Sequence, residues 1–355
     1  MTTTKTIALV VGVAIVAALA AFQLGRSVSE PKPSAPAAAA RPWGAMVQLE
    51  ADKAFIPTLN AQLQILDRWR AHDREVEYRT PFYFLWVAGL FKQYAVARYA
   101  SLKDLTIVEI GPGSGMITGA LYASAGAKRY YGVDIYENPR LRDALSYRVA
   151  FGLAHIDPDY LARDPSEIIL KEEGGKVVFN PERITFLKRQ SYDTGLPDDS
   201  VDYVFSMATI EHIDEPEKSI LEWRRVLKPG GISAHVAALA DHRDFHRPYE
   251  YLKLDQAAWR AQFVGPGAQY PAHDYVNPWR PIDFKRAFEK AGFEILEYST
   301  ELRHPFMKEQ ARVLYPNRTL SDADWAQITP SVREGRTREE VSELFITIVV
   351  RKPAK

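Results

Sequence analysis

Apolar residues follow three different rhythms along this chain. From Ile7 to Leu24 they run almost unbroken, interrupted by Gly12 and Gln23. As a helix that run is about 27 Å long at ~1.5 Å per residue, close to the ~30 Å of a hydrocarbon core. From Trp43 to about Ala100 the spacing is helical, with Leu59, Leu63, Leu66 and Trp69 recurring on one face, followed by an aromatic stretch from Pro81 to Phe91. That stretch reads as a helix packed on the rest of the chain. Beyond Ala100, short β-branched runs alternate with helical segments.

Strands are predicted from Leu105 to Ile110, Arg129 to Asp134, Ile184 to Leu187, Val201 to Phe205, Ile232 to Leu239, Phe293 to Tyr298 and Glu343 to Val350. Helices are predicted from Met116 to Ser124, Glu215 to Leu227 and Ile282 to Ala291. Asn138 to Leu170 reads as a long, mostly helical part of an insertion spanning 138–180. Pro197, Pro216, Pro229 and Pro281 are expected at element boundaries. Buried strands alternating with helices predict an α/β, doubly wound, mostly parallel sheet covered on both faces.

Composition narrows the partners. The 45 basic and 45 acidic side chains cancel, which argues against a general polyanion binder, so no nucleic-acid partner is expected. The absence of cysteine excludes disulfides, zinc–thiolate sites and cysteine nucleophiles. The apolar run with its flanks (1–26) fits either an uncleaved anchor or a signal peptide cut near Ala18-Leu19-Ala20. Residues 27–42, rich in Pro and Ala, form a linker. Arg26, Lys32 and Arg41 follow the run while Lys5 precedes it, which places the C-terminal side in the cytoplasm.

The chemistry begins at Glu109-Ile-Gly111-Pro-Gly113-Ser-Gly115, between a strand and a helix. In an open parallel sheet that turn lies where ligands bind, and glycine lets the backbone approach them closely. A dinucleotide loop would carry a further glycine where Met116 stands. Glu109 is poorly suited to a pyrophosphate but suits a cationic amino group. Asp134 ends the second strand, where a carboxylate can accept ribose hydroxyls. A ribose and a charged amine without pyrophosphate describe S-adenosylmethionine (SAM).

Ile107 to Met116 and Tyr131 to Ile135 resemble the first two motifs of class I SAM-dependent methyltransferases of the type 11 kind. Gly195 to Asp214 and Glu222 to Gly231 are similar to the family's fourth-strand region and the turn before strand five. With the N-terminal run, the resemblance implies a membrane-anchored bacterial type. It implies a Rossmann-like seven-stranded sheet whose last strand is antiparallel, formed by 101–355 behind a helical cap at 43–100. It implies SAM as cofactor, with Glu109, Gly111, Gly113 and Gly115 at its methionine end, Asp134 on the ribose and Ile135 on the adenine. Asp193, beside Tyr192, is the candidate for the adenine amino group.

Methyl transfer needs a held, aligned acceptor, and a base where the acceptor must lose a proton. Glu211 and His212 follow strand four, and His242 lies beyond strand five; these are the catalytic candidates. Asp241-His242, Trp259 and Asn277-x-x-Arg280 resemble a bacterial subgroup, which implies glycan-related acceptors. Arg243, Arg247 and Arg280 suggest an acidic acceptor. Asp241, His242, Asp244 and His246 could hold a metal, but a solvated loop accounts for the string, and no metal is assigned. The expected activity is methylation of a small or lipid-linked acceptor, a sugar hydroxyl among the candidates. The alternatives are a non-catalytic SAM-binding scaffold and a nicotinamide-dependent oxidoreductase.

Overall fold

The computed structural model describes residues 79–153, 160, 162–301, 315 and 319–354. The Ile7–Leu24 run, the linker and the helical expectation before Arg79 lie outside them. Among the described residues no helix is long and apolar enough to cross a membrane.

The described residues fall into two compact units. The first comprises 79–132 and 137–187. It opens with α1 (Arg79–Tyr99), continues through β1 (Thr106–Ile110) and α2 (Ile117–Ser124), and includes most of β2 (Arg129–Asp134). The helix α1 accounts for the aromatic stretch, burying Phe84, Ala88, Phe91 and Ala95 at i, i+4, i+7 and i+11. The Tyr122 hydroxyl of α2 donates to the Ala88 carbonyl at 2.8 Å, tying the two helices together.

Next come α3 (Ala144–Leu153), β3 (Ile169–Glu173), β4 (Lys176–Phe179) and β5 (Ile184–Lys188). The mostly helical expectation for 138–170 is corrected at its C-terminal end: beyond α3, Leu170 belongs to an antiparallel hairpin, β3 on β4. Its turn is Gly174-Gly175, with φ of +57° and +74°. Two consecutive left-handed residues match the right-handed twist of the flanking strands, which is why a Gly-Gly pair closes a two-residue hairpin.

The second unit comprises 133–136 and 188–355. Its elements are β6 (Val201–Met207), α4 (Pro216–Val226), β7 (Leu227–Ala238), α5 (Gln256–Ala261), α6 (Pro281–Lys290), β8 (Glu294–Ser299), α7 (Asp322–Gln327), α8 (Pro330–Arg333), α9 (Arg338–Ser342) and β9 (Phe345–Arg351). Proline sits in the first turn of α4, α6 and α8, where its missing N–H costs no helical bond. Pro229 departs from its expected boundary position. β7 starts at Leu227, and its register against β6 slips between Val201↔Leu227 and Tyr203↔Ile232. The slip leaves Pro229 without a ladder bond to donate, and Gly230 takes φ +77° to make the bend.

The main sheet has seven strands in the order β5-β2-β1-β6-β7-β9-β8, and β9 runs antiparallel to both neighbours. This is the doubly wound, mostly parallel seven-stranded Rossmann-like sheet with an antiparallel last strand that was expected. Its inner strands are buried along nearly their whole length, as a sheet covered on both faces requires. Within β7, His235 is fully buried, held between the hydroxyls of Ser206 (2.7 Å) and Ser233 (2.6 Å) and stacked on Trp223. Burial pushes its imidazole down to about 3, so it serves the core as a neutral ring.

Candidate functional site

β1 ends at Ile110, and the chain turns through Gly111 and Gly113 at φ of +70° and +63°. Side chains rarely adopt this conformation, so the turn itself selects glycine. A Cβ at Gly113 would meet nothing within 4 Å, so the loop presents an open face there. Gly115 has another purpose: a Cβ would come within 3.2 Å of the Phe84 ring, so it is small to seat α1. Met116, where a dinucleotide loop has glycine, is buried, and its sulfur would lie 3.0 Å from a Cβ on Gly132 of β2.

Two tyrosines that sequence reasoning missed fix this loop. Tyr130 of β2 is fully buried and donates its hydroxyl to the buried Glu109 carboxylate. Tyr147 of α3 accepts from the Met116 N–H at 2.9 Å and donates to the Leu141 carbonyl at 2.7 Å. Burial keeps the Tyr147 hydroxyl protonated far above its ordinary range. Neither could be assigned from the sequence, because their partners lie 21 and 31 residues away.

Asp134 is the last residue of β2, half-buried, with Oδ1 accepting from the Tyr136 N–H at 3.0 Å. Ile135 follows, half-buried. Tyr136 is exposed and stacks on the His273 ring, centroids 4.9 Å apart. Asp193 faces solvent in a 3.6 Å ion pair with Arg189. The loop carrying it is fastened one residue later, where the Thr194 N–H and hydroxyl both donate to Glu222, at 2.9 and 2.6 Å.

The catalytic candidates lie wholly within the second unit. After β6 the chain makes a tight 3-10 turn over Ile210–His212. Asn277 braces it: its Nδ2 donates to the carbonyls of Ile210 (2.7 Å) and Ile213 (3.0 Å), and its own N–H donates to the Glu211 carbonyl (2.8 Å). Trp259 steadies the same segment by donating to the Val276 carbonyl at 2.9 Å.

The turn brings Glu211 and His212 to His242, with one ligand-type atom from each lying within 4.8 Å of the others. Glu211 is 0% exposed, and neither carboxylate oxygen has a hydrogen-bond partner. Burial raises its carboxyl to about 8, and the nearby N–H groups of Glu211 and Ala238 offset only part of that. The His212 Nδ1 is 2.7 Å from the Tyr275 carbonyl, so it carries the proton and Nε2 the lone pair. Burial, then repulsion from His242, lowers His212 to about 3. His242 is 9% exposed, lies edge-on to His212 with centroids 4.9 Å apart, and has Nε2 3.3 Å from the Ala238 carbonyl. Burial lowers it also, against the Ala238 carbonyl and Asp241. Both imidazoles are therefore neutral near pH 7.

The expectation that Arg243, Arg247 and Arg280 serve an acidic acceptor meets their observed partners. Arg280 is 0% exposed and donates to the carbonyls of Leu239 (2.7 Å) and Glu343, so it ties the fold together and does not attract an acceptor. Arg243 is committed to the buried Asp241 (Nε–Oδ1 2.8 Å) and lies over the Trp259 ring, and Arg247 pairs with Glu250 at 2.7 Å. The string Asp241, His242, Asp244, His246 is not gathered around one point. Asp241 holds Arg243, and Asp244 accepts from the His246 N–H in a local turn.

Residues 108–234 match the family model described as a methyltransferase domain. A protein of Aspergillus luteorubrus named as a probable methyltransferase is 29% identical over 193 residues, 53% of this chain and 59% of its own. An uncharacterised methyltransferase of Mycobacteroides abscessus is 28% identical over 137 residues, 39% of this chain and 41% of its own. The chain thus spans less than two thirds of each relative's length. Among solved structures, a phosphoethanolamine N-methyltransferase of Haemonchus contortus in complex with SAM superposes with a TM-score of 0.39 at 17% identity, covering 73% of this chain and 51% of that one.

Proposed function

We propose that this chain transfers the methyl group of SAM to a hydroxyl of a small-molecule or lipid-linked acceptor, a glycan among the candidates. One observation carries the reading: the open face over Gly113, beside the buried Glu109 that Tyr130 holds in place. The residues fit the cofactor. The open space at Gly113 admits the amino-acid end, Glu109 complements its ammonium group, and Asp134, ending the strand next to β1, complements ribose hydroxyls. Ile135 supplies apolar contact for the adenine, and Asp193 is available to its amino group.

Bound SAM supplies an electrophilic methyl group on a positively charged sulfur. The chain's own task is to hold an acceptor oxygen in line and to accommodate the proton it gives up. Glu211, His212 and His242 are the polar groups proposed to meet that oxygen. Both imidazoles are neutral and offer lone pairs, while a carboxyl with its pKa near 8 is largely uncharged at neutral pH. Buried groups of this kind avoid placing a fixed charge beside an incoming neutral hydroxyl. The Ile7–Leu24 run is proposed to hold the chain on a membrane with the described residues on the cytoplasmic side, where SAM is made. Protease protection of membrane vesicles tests that topology, and cleavage only from the opposite face would contradict it.

The activity is tested by incubating the full chain with methyl-labelled SAM and hydroxylated acceptors, free and lipid-linked. Labelled product is expected from the wild type, reduced roughly 100-fold or more in His212→Gln. SAM binding with no transfer to any acceptor would favour the scaffold reading, and NADH binding in its place would favour the oxidoreductase.

A further inference from the structure

We propose that Glu211, His212 and His242 bind a divalent transition-metal ion, held by two imidazoles and one carboxylate with its remaining positions open to an acceptor oxygen. Three features of the cluster point there. Glu211 is buried with both oxygens lacking a hydrogen-bond partner, an arrangement that costs stability unless something compensates the carboxylate. The two histidines are oriented as ligand histidines usually are, each with one ring nitrogen directed to a backbone carbonyl: Tyr275 for His212 at 2.7 Å and Ala238 for His242 at 3.3 Å. That pairing puts the lone pair on His212 Nε2 and His242 Nδ1. One ligand-type atom from each of the three residues lies within 4.8 Å of those from the other two. A tetrahedral ion with bonds of about 2.0–2.1 Å needs its ligand atoms ~3.3 Å apart, so the separations must close by up to about 1.5 Å.

The ligand set also selects the ion. Two imidazoles and one carboxylate suit zinc, iron(II) or cobalt(II) better than magnesium or calcium, which prefer oxygen donors. The Tyr315 hydroxyl is likewise buried without a hydrogen-bond partner, and its ring packs edge-on to Phe245, which in turn packs edge-on to His242. The site deepens the methyl-transfer reading and, in its catalytic role, rests on it. A metal-bound acceptor hydroxyl loses its proton to solvent more readily; its oxygen then forms the new O–CH3 bond as the S–CH3 bond breaks and sulfur keeps the electron pair. The imidazoles then act as ligands, and no side-chain base is needed.

The test uses the full chain, stripped with a chelator, returned to chelator-free buffer and titrated with Co2+ and then Zn2+. A visible cobalt absorption band saturating at one equivalent and displaced by zinc is expected. Glu211→Gln and His242→Asn should each weaken binding roughly 100-fold or more, and Glu211→Asp should restore part of it. His246→Asn, outside the cluster, should bind like the wild type. A folded wild type with no cobalt band, or a band unchanged in both ligand variants, overturns the proposal. If one variant fails to fold, by its thermal melt, the other and the wild type still decide. SAM calorimetry on the same samples separates the two readings: SAM binding without metal binding sinks only this inference, and metal binding without SAM binding sinks only the cofactor reading.

Discussion

Asn277→Ala is the perturbation whose consequences can be worked out furthest. The side chain is 1% exposed, donates to the carbonyls of Ile210 at 2.7 Å and Ile213 at 3.0 Å, and accepts from the Trp279 N–H at 3.1 Å. Truncation removes the side-chain partner of three backbone groups, of which the Ile210 carbonyl keeps a 3.4 Å bond from the Ile213 N–H. A buried polar group left unpaired costs about 1–3 kcal/mol, and a carbonyl with a second lone pair sits toward the low end. A total near 3 kcal/mol follows, equivalent to a fall of about 6–12 °C in melting temperature at ~2–4 °C per kcal/mol. Thermal melts followed by tryptophan fluorescence measure this. The turn that loosens carries Glu211 and His212, whereas the glycine loop is untouched. Methyl transfer should therefore fall by more than tenfold while SAM affinity changes less than threefold. Asn277→Asp keeps the acceptor for Trp279 but turns both donations into repulsions, so it should be more damaging at pH 7 than at pH 4. A melting shift under about 2 °C in Asn277→Ala would refute the brace, as would equal losses of SAM affinity and turnover.

Other expectations follow from single contacts. Gly119→Val should destabilise by at least about 1–3 kcal/mol, since even a Cβ there would lie 2.2 Å from the Tyr130 ring; a denaturant midpoint equal to the wild type's would contradict this. Tyr130→Phe removes the hydroxyl donated to Glu109, and SAM should bind roughly tenfold more weakly by calorimetry, an unchanged affinity counting against a role for that pair. Burial pushes the Glu222 carboxyl up, but its hydrogen bonds to Arg225 and Thr194 outweigh this and leave it below the usual range. Its contribution is therefore present above about pH 4.5 and lost as pH falls through the depressed value. The melting gap between wild type and Glu222→Gln should be open at pH 7 and should narrow as pH falls through the depressed value; a gap independent of pH would be the wrong outcome.

What could be read from the sequence was what the backbone and local spacing decide. The glycine loop and Asp134 at a strand end follow from periodicity and punctuation along the chain, and the antiparallel β9 from the family resemblance that those motifs carry. The β3–β4 hairpin was legible too, since Gly174-Gly175 between β-branched runs is a turn signal, but the long helical pattern before it masked the change of period. Long-range pairing was not legible. Arg280 reads as a surface cation until the carbonyls of Leu239 and Glu343, far along the chain, are seen to occupy its guanidinium. Asn277 reads as part of a recognition motif until its amide is found under the Ile210–His212 turn. Glu211, His212 and His242 were individually visible as polar residues after strands; their convergence, and the absence of any partner for the Glu211 carboxylate, belong to the tertiary structure.

The most direct test of the central claim is calorimetric titration of the full chain with SAM, with Asp134→Ala as control. One-to-one binding by the wild type, weakened at least tenfold in the variant, is the predicted result. No SAM binding by a folded wild-type protein, or binding indifferent to Asp134, would contradict the assignment of the glycine loop and the end of β2 to this cofactor.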